Sequence, residues 1–566
     1  MNFGFLVRCD QRGASFSEVG ASRPAASELL SVTIDNDVQA VCLGRLYYLD
    51  DLRRRLAAEH RPKAGATPAE YVRAVYEQAG AEGLSWLEGD YCFVLWDARE
   101  RRLIAVRDPM GGFPLFWVRF GDEVALSNAM RPLLELVPDR RLDLDYLAEF
   151  LVLPFGGAQE LHAERCAYAG VQRVLAGTRL EVSPGGSPKS IRWWDWLAQM
   201  EEPESLEPAD IAVRYGELLD AAVAQRRVGR TAAHLSGGMD STAVALLAAR
   251  QAHAAGEEPV HGLALVYERQ NVLARERPYV ESVDGTPGLQ LHRLPGEECL
   301  DFDAYDYAID PDEPVLSLYQ SAMCHALLKR AAEIGGRTLM TGFGADELVG
   351  LQPFPLYDHL RTGRWFTAWR QASALAAARS DSSWRYLSQY GFRFFLPAGL
   401  RGGLGCWWRG GRVAWEKQQA HTIGPWVRPE FARRHGLWQR SVEHLRRQSN
   451  RCRPLALSMA LEALEFGIGD AFRWEVGVPA GVHVVQPFLD PRLICFCLGF
   501  QGRVSADPKR QKPILTDAMR DVLPEIIRER PGKGHFNEVF FGGLSRNLSS
   551  LERLVEQSPV DDVEFV

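Results

Sequence analysis

A glycine-rich turn joins a short apolar segment to an alanine-rich segment in the sequence TAAHLSGGMDSTAVALLAAR, which begins at Thr231. If the apolar segment is a strand and a helix starts near Asp240, the turn presents backbone N–H groups at a helix N-terminus, which is an anion site. Two glycines let a phosphate approach where a Cβ would collide. A capped helix N-terminus is the structural alternative, but the whole string favours phosphate binding. The predicted nucleotide-binding residues are Ser236, Gly237, Gly238, Met239, Asp240 and Ser241.

The position of Asp240 predicts that a cation binds together with the phosphates. A carboxylate beside phosphates is repulsive unless a cation lies between them, so its position indicates magnesium. The string is not a Walker-type loop, because the lysine of that motif is absent.

A second motif, TLMTGFGADELVG, places Thr341 and Gly342 directly after an apolar strand, followed by Asp346 and Glu347. In an open α/β sheet, ligands bind at the C-terminal ends of the strands. We therefore expect Asp346 to face Asp240 and to hold Mg²⁺ with it. Alone, this motif is equally typical of a turn with a helix cap, and it gains weight from the first one.

Length and composition limit the kinds of protein that can carry such a site. The chain has 566 residues, which suits two domains or more, and a net charge of −8, which argues against general affinity for nucleic acid. Its ten cysteines have no zinc-site spacing. Neither a signal peptide nor an apolar run of about 18 residues is present, so we expect a cytoplasmic protein without membrane contact.

The order of the predicted elements changes along the chain. Short strand-like segments, including a hairpin with its turn at Asp97–Arg102, precede a Pro, Gly and Ser stretch at Ser183–Ser190. We interpret that stretch as a turn or interdomain connection, with the boundary there or near Trp193–Trp196. Strands and helices alternate afterwards, which favours a parallel sheet covered by helices.

Several segments in the same order resemble the asparagine synthetase superfamily over nearly the whole chain. The segment Leu87–Trp117 resembles class II glutamine amidotransferase domains, and Ser236–Ser241 resembles the pyrophosphate loop of ATP pyrophosphatases. Val485–Phe496 and Lys509–Phe536 resemble later parts of the synthetase. The expected fold is thus α+β and α/β, with a degenerate Ntn-hydrolase-like β-sandwich over 1–197. An adenine-nucleotide α-hydrolase-like synthetase domain follows over 205–566, with a helical insert at 351–453.

The resemblance also implies a chemistry. With ATP and Mg²⁺, a substrate carboxylate attacks the α-phosphate, pyrophosphate leaves, and an amine then displaces AMP. Lys512 corresponds to the catalytic lysine facing the α-phosphate, with Arg530 and Lys533 as secondary candidates for phosphate contact. The base that deprotonates the amine is not identified. Glu347 and the acids of the run Asp301–Pro314 are candidates, but the same acids are also typical of loops and helix caps.

Departures from the family pattern decide where the amine comes from. A class II glutaminase uses an N-terminal cysteine, whereas residue 2 is Asn2, and Cys9 lacks the small residues that follow such a nucleophile. The glutamine-holding Asn-Gly-Glu is replaced by Leu43, Gly44 and Arg45. We therefore predict that the first domain does not hydrolyse glutamine and that the amine belongs to the substrate.

Two branches of the superfamily close an amide within one substrate, namely β-lactam synthetases and lasso peptide cyclases. Phe343 stands where β-lactam synthetases have a tyrosine, and a phenyl ring cannot relay a proton. The insert is rich in tryptophan and arginine, which suits a groove for an extended peptide but equally a helical core with a solvated face. These residues are Trp365, Trp369, Trp384, Trp407, Trp408, Trp415, Trp426 and Trp438, with Arg361, Arg364, Arg409, Arg412, Arg433, Arg434, Arg446 and Arg447.

The sequence thus favours an ATP-dependent lasso peptide cyclase, a macrolactam synthetase that joins an Asp or Glu side chain of a core peptide to its N-terminal amine. The expected partners are that precursor peptide, a leader peptidase and a leader-recognition protein. A β-lactam synthetase-type ligase and a non-catalytic peptide-holding scaffold are the alternatives.

Overall fold

The structure is a computed structural model. It describes residues 4–10, 13–19, 28–35, 37–152, 164–183, 186–303, 312–314, 320–350, 355–378, 381–396, 427–440, 454–465, 467–469, 472–503, 510, 512–530, 532 and 534–557. Asn2, Lys533 and four of the tryptophans singled out above (Trp407, Trp408, Trp415 and Trp426) lie outside these residues.

Sixteen strands lie in the described part of the chain and form three sheets. They are β1 (Gly4–Cys9), β2 (Ala14–Val19), β3 (Leu30–Ile34), β4 (Val38–Tyr47), β5 (Glu88–Asp97), β6 (Arg102–Arg107), β7 (Phe116–Phe120), β8 (Glu123–Ser127), β9 (Val171–Arg173), β10 (Thr178–Val182), β11 (Lys189–Arg192), β12 (Thr231–His234), β13 (Val260–Val266), β14 (Leu289–Pro295), β15 (Thr338–Met340) and β16 (His483–Val485).

The α-helices of the described residues are numbered here in chain order. They are α1 (Leu49–Arg55), α2 (Pro68–Gly83), α3 (Met130–Leu134), α4 (Leu144–Val152), α5 (Pro208–Arg226), α6 (Met239–Ala254), α7 (Asn271–Ala274), α8 (Arg277–Glu281), α9 (Ser321–Glu333), α10 (Ala345–Val349), α11 (Pro355–Arg361), α12 (Trp365–Ala378), α13 (Ser383–Tyr390), α14 (Pro429–Arg434), α15 (Leu455–Glu465), α16 (Val478–Ala480), α17 (Pro491–Phe500), α18 (Pro513–Ala518), α19 (Glu525–Arg528) and α20 (Asn537–Gln557). None of them is long and apolar enough to cross a membrane.

Two antiparallel sheets make up the N-terminal part, with strand orders β2-β1-β8-β7-β9 and β11-β10-β6-β5-β4-β3. The central strand β5 is buried on both faces. Residues such as Val94 point to the core between the sheets, whereas Phe93 points to a second core beneath α2. Burial on both faces explains why this strand is a continuous hydrophobic run rather than an alternating one. The predicted β-sandwich is thereby confirmed.

The stretch at Ser183–Ser190 lies between two paired strands and not between domains. It separates β10 from β11, which pair in antiparallel orientation at the edge of the second sheet. Because β11 belongs to the N-terminal part, the chain leaves that part only after Arg192. The next helix, α5, begins at Pro208.

The C-terminal part contains a five-stranded parallel sheet with the order β14-β13-β12-β15-β16, as predicted. Successive residues of β12 serve opposite faces: Ala233 packs among residues of α5 and α6, and Ala232 among residues of α9. Helices therefore cover both faces, as parallel sheets require. β12 and β15 are neighbours, so the turns that follow them meet at the C-terminal edge of the sheet.

Described parts of the insert are helical, as expected. Helices α11 to α13 share a small core of their own that includes Leu356 and Leu375. Trp365, Trp369 and Trp384 are exposed rather than part of it. The alternative in which the tryptophans form a helical core therefore does not hold for these three.

Charged side chains link the N-terminal sheets to the parallel sheet. Arg45 on β4 donates to Thr338 Oγ1 at 2.9 Å, at the start of β15. Asp90 on β5 pairs with Arg473 at 2.8 Å. These contacts lie at the N-terminal end of β15, opposite the edge where the two predicted motifs meet.

Candidate active site

The predicted phosphate loop has the expected form of a strand, a tight turn and a helix. β12 ends at His234, and α6 begins at Met239 with Gly238 as its N-cap. Gly237 has a φ of 73°, and a Cβ on it would lie 2.9 Å from Tyr279 Cβ. Only glycine fits this left-handed and crowded position, so backbone N–H groups stay accessible at the helix N-terminus.

Hydroxyl groups hold the turn in shape from within. Ser241 Oγ accepts a hydrogen bond from Ser236 N at 3.1 Å and lies 2.9 Å from Ser236 Oγ. Gly238 N donates to Ser236 Oγ at 3.3 Å. The two serines therefore fix the loop before any ligand arrives, which lowers the entropic cost of binding.

The second motif packs directly on the first. A Cβ on Gly342 would lie 2.3 Å from Ser241 N, so only glycine permits this approach of the two backbones. Thr341 follows β15 and is buried, while Gly344 turns the chain into α10 with a φ of 103°. The acids of the motif thus begin a helix beside the phosphate loop.

Lys512 brings the two predicted metal-binding carboxylates together. Its Nζ lies 2.5 Å from Asp240 Oδ1 and 2.7 Å from Asp346 Oδ1. The side chains of Lys512 and Asp240 are only 10% and 15% exposed, whereas that of Asp346 is 73% exposed. Three residues from separate parts of the sequence thus meet at one point next to the phosphate loop.

The carboxylate pair suits a magnesium ion that also binds a polyphosphate. Among the described residues, no group of three or more His, Cys, Asp or Glu side chains is placed to hold a metal ion. Asp240 and Asp346 nevertheless converge on one ammonium group, which shows that both can face one cation. Mg²⁺ is usually bound by one or two carboxylates together with substrate phosphates, and this donor set matches that pattern.

Glu347 lies half-buried next to Asp346 in the first turn of α10. Burial raises the pKa of its carboxyl, and the neighbouring Asp346 acts in the same direction. A carboxylate with a raised pKa is a better proton acceptor, so Glu347 keeps the properties needed of a base.

Arg530 lies behind the phosphate loop, where protein oxygens accept its hydrogen bonds. It donates to Gly237 O at 2.9 Å, to Glu276 Oε1 at 2.8 Å and to Gly532 O at 2.7 Å. Its guanidinium also stacks on Tyr279, 4.3 Å from the ring centroid. The structure therefore shows a supporting contact to the loop backbone, at a residue that the family resemblance makes a secondary candidate for phosphate contact.

Glu276 and Tyr279 were not found by sequence reasoning. Glu276 is the N-cap of α8, and Tyr279 lies within this short helix. Both are far in sequence from the two motifs. No local sequence pattern indicates a role for these two residues. Their role follows from the tertiary fold, which packs α8 against Gly237.

The described acids of the run Asp301–Pro314 include three that make structural contacts. Asp312 Oδ2 accepts from Met130 N at 2.6 Å, and Glu313 pairs with Arg173, both in the N-terminal part. Asp303 accepts from Asn547 Nδ2 at 2.7 Å. These three acids serve interdomain and helix contacts, and residues 304–311 lie outside the described chain.

Cys9 does not have the surroundings of a reactive thiol. Cys9 is buried, and burial raises the pKa of its thiol to about 11, so it stays protonated. Gly44 has a φ of 125°, and a Cβ there would lie 2.1 Å from Asp90 O. Its neighbour Arg45, in place of the family's acid, is directed to Thr338 in the other domain.

Two protein-family models match separate parts of the chain. The family model described as asparagine synthase matches residues 214–566, and the model described as a glutamine amidotransferase domain matches residues 25–194.

Curated relatives include "Amidase chyE" from Penicillium rubens, 29% identical over 55% of this chain and 47% of its own length. Another is "Asparagine synthetase [glutamine-hydrolyzing] 3" from Bacillus subtilis, 24% identical over 43% of this chain and 39% of its own length. The chain thus spans less than half the length of each of these relatives. A solved structure of glutamine phosphoribosylpyrophosphate amidotransferase from B. subtilis covers 61% of this chain and 85% of that one, with 14% identity and a TM-score of 0.23, too low to support a fold assignment.

Proposed function

This chain belongs to the asparagine synthase family, and we propose that it is an ATP-dependent amide-forming ligase of the lasso peptide cyclase type. It would adenylate an Asp or Glu side chain of a core peptide and close a macrolactam with the peptide's N-terminal amine. The precursor peptide, a leader peptidase and a leader-recognition protein are its proposed partners.

One observation supports the proposal: the acids and the lysine expected of a nucleotide site meet at one point, while Arg45 replaces the family's glutamine-binding acid in the other domain. Asp240, Asp346 and Lys512 converge beside the phosphate loop. In the other domain, the position of the family's glutamine-binding acid is Arg45, whose side chain is bonded across the interface. A site arranged for activation, next to a domain without that acid, supports an amine that belongs to the substrate rather than to glutamine.

The first step is attack of the side-chain carboxylate on the α-phosphorus. A P–O bond to the β-phosphate breaks, pyrophosphate leaves, and the acid becomes an acyl-adenylate. Backbone N–H groups of the Ser236–Ser241 loop would hold the pyrophosphate, because they point out of a helix N-terminus. Lys512 would stabilise the negative charge that grows on the α-phosphate oxygens.

The second step is attack of the N-terminal amine on the activated carbonyl. The amine loses a proton, AMP leaves, and the isopeptide bond closes the ring. Glu347 is the proposed acceptor of that proton, because it is half-buried and its pKa is raised by burial. Mg²⁺, when bound by Asp240 and Asp346, would neutralise charge on the phosphates during activation.

The exposed aromatic residues support a substrate larger than an amino acid. Trp365, Trp369 and Trp384 are exposed on helices of the insert, and Phe343 is exposed in the second motif itself. Large aromatic side chains provide contact area at a low cost in entropy, which suits the holding of a threaded peptide.

The proposal is tested by the intact mass of a core peptide encoded beside this gene. The peptide is incubated with the protein, its leader-processing partners, ATP and Mg²⁺, and AMP is assayed in parallel. We expect the loss of one water together with AMP, and a product that resists carboxypeptidase because its tail is threaded. Asp240→Ala and Lys512→Ala should abolish both signals.

Asp220→Ala is the matched control, since this acid bonds Arg250 and Gln251 on the surface away from the site. It should keep the wild-type rate. An unchanged peptide mass with AMP formed from small β-amino acids would instead indicate the β-lactam branch. No AMP from either substrate would favour the scaffold.

A further inference from the structure

We propose that Lys512 is a placeholder cation: it pairs with the two metal-binding carboxylates until a nucleotide arrives, so that the divalent cation binds tightly only together with ATP. This inference rests on the proposed function, since it assumes that Asp240 and Asp346 are the metal-binding pair. Beyond the proposed function, it links cation binding to nucleotide binding and gives Lys512 a second role before catalysis.

The contacts of the ammonium group support this view. Its Nζ lies 2.5 Å from Asp240 Oδ1 and 2.7 Å from Asp346 Oδ1, so it pairs with both carboxylates at once and offsets one of their two negative charges. Lys512 and Asp240 are 10% and 15% exposed, and attraction between charges is stronger where water is largely excluded. A divalent cation that arrives alone must displace this ammonium group and leave a partly buried lysine without its partners.

The backbone of Lys512 is held while its side chain is long enough to move. Lys512 precedes α18 with a φ of 43°, and its carbonyl oxygen accepts from Thr516 N at 2.9 Å and from Thr516 Oγ1 at 3.1 Å. A left-handed lysine is unusual and is retained only where the surroundings fix it. The four-carbon side chain can therefore turn from one set of oxygens to another about a fixed point.

A polyphosphate offers the ammonium group a competing set of oxygens. When the phosphates reach the loop at Ser236–Ser241, Lys512 can turn to them and free the carboxylates for the cation. Asp346 is 73% exposed, so its carboxylate can follow without breaking a core. Nucleotide and cation then bind with positive coupling, because each favours the state in which the lysine has left the pair.

The test is Mn²⁺ binding, measured by the loss of the free-ion signal in electron paramagnetic resonance. For the wild-type protein we expect weak binding of Mn²⁺ alone and much tighter binding with α,β-methylene-ATP. For Lys512→Met we expect Mn²⁺ alone to bind about tenfold or more tightly than to the wild type, since close charge pairs couple by more than tenfold. Asp240→Asn added to this variant should remove the gain.

Arg510→Met is the matched control, because it removes one positive charge from the same segment but from a pair with Asp517. It should leave Mn²⁺ binding as in the wild type. The proposal is overturned if Mn²⁺ binds the wild type equally well with and without the nucleotide analogue, a result that needs no folded variant. It is also overturned if Lys512→Met and Arg510→Met change Mn²⁺ binding alike. These readouts need no peptide, so they fail separately from the proposed cyclisation.

Discussion

At the scale of single residues, the surroundings of a side chain decide whether it can take part in chemistry. Lys512 lies between two carboxylates beside the phosphate loop, whereas Cys9 is buried and kept neutral by its raised pKa. The first residue serves chemistry, and the second is part of a core. Predictions at this scale concern which groups react and which titrate.

Cys9 should not react with thiol reagents in the folded protein. It is buried, and its pKa of about 11 leaves almost no thiolate near neutral pH. We expect no labelling of Cys9 by iodoacetamide in peptide mass spectra, and Cys9→Ser should cyclise peptide at the wild-type rate. Rapid labelling, or loss of a glutaminase activity in Cys9→Ser, would contradict this account.

Asp301 should make stability depend on pH. Burial raises the pKa of its carboxyl from 3.8 to about 6, with Asp303 acting in the same direction. The folded state therefore favours the protonated acid, and ionisation opposes folding increasingly as the pH rises through about 6. Asp301→Asn should raise the melting temperature at about pH 8 and leave it unchanged at about pH 4.

Asp303→Asn is the matched comparison for that measurement. Its carboxylate accepts hydrogen bonds from Leu300 N and Asn547 Nδ2, so its loss should lower the melting temperature at the higher pH. Equal effects of the two substitutions would show that burial of Asp301 does not cost stability.

At the scale of elements, two turns at one sheet edge form the site, and a third segment supports them. The turn after β12 and the turn after β15 touch through Gly342, because neighbouring parallel strands deliver their C-terminal ends to the same edge. The segment after β13 supplies Glu276 and Tyr279, which anchor Arg530 behind the loop.

Arg530 should affect nucleotide binding through the position of the loop. Arg530→Met removes the hydrogen bond to Gly237 O, so we expect the KM for ATP to rise about tenfold to 100-fold, with a smaller change in kcat. Glu276→Gln should act in the same direction, and the double variant should be no worse than the more affected single one. Nucleotide titrations and steady-state kinetics measure both constants.

Arg520→Met is the control, since it removes an exposed arginine that pairs with Asp517 outside the loop. A fall in kcat for Arg530→Met with an unchanged KM for ATP would contradict the supporting role and favour direct contact with the transition state.

The sequence predicted most of these elements but not all of their contacts. The strand, turn and helix around Asp240 follow from hydrophobic pattern and glycine placement, which are local signals. The family resemblance placed Lys512 at the α-phosphate, but its contact with Asp346 was not predicted, because nothing local to either residue indicates it. Arg530 was named as a candidate for phosphate contact, and its buried pairing with Glu276 depends on a packing that sequence patterns do not encode.

The stretch at Ser183–Ser190 shows a different limit. Its Pro, Gly and Ser content is typical of both hairpins and linkers, and only the pairing of β10 with β11 distinguishes the two. The exposure of Trp365 and Trp384 is likewise a tertiary property, since aromatic residues on a helix are equally suited to a core.

At the scale of the whole molecule, the N-terminal domain is bound to the synthetase domain by buried charges. Arg226 and Asp490, both of the synthetase domain, form an ion pair at 2.6 Å with side chains 1% exposed. Tyr48 of the N-terminal domain donates to this pair, at 3.0 Å from Asp490. Arg45 and Asp90 make further contacts across the same interface. These contacts give the N-terminal domain a structural role in the protein.

Removing one partner of the buried pair should destabilise the whole protein. Asp490→Ala leaves Arg226 buried without its carboxylate, which typically costs about 3–5 kcal/mol. We expect a lower denaturation midpoint, followed by fluorescence in urea, and loss of activity without a change in the KM for ATP of the folded fraction. Glu258→Gln, in an exposed pair with Arg230, should leave the midpoint unchanged. Equal midpoints for the two variants would contradict the structural role of Asp490, which holds Arg226 and accepts from Tyr48 across the interface.

The central claim, that this chain activates a peptide side chain by adenylation, is tested most directly by oxygen-18 transfer. A core peptide labelled in its Asp or Glu carboxylate is incubated with the protein, its partners, ATP and Mg²⁺, and AMP and peptide are analysed by mass spectrometry. The account predicts one oxygen-18 atom in AMP for each ring closed, with no requirement for glutamine. Unlabelled AMP, label in inorganic phosphate, or ring closure only when glutamine is present would contradict it.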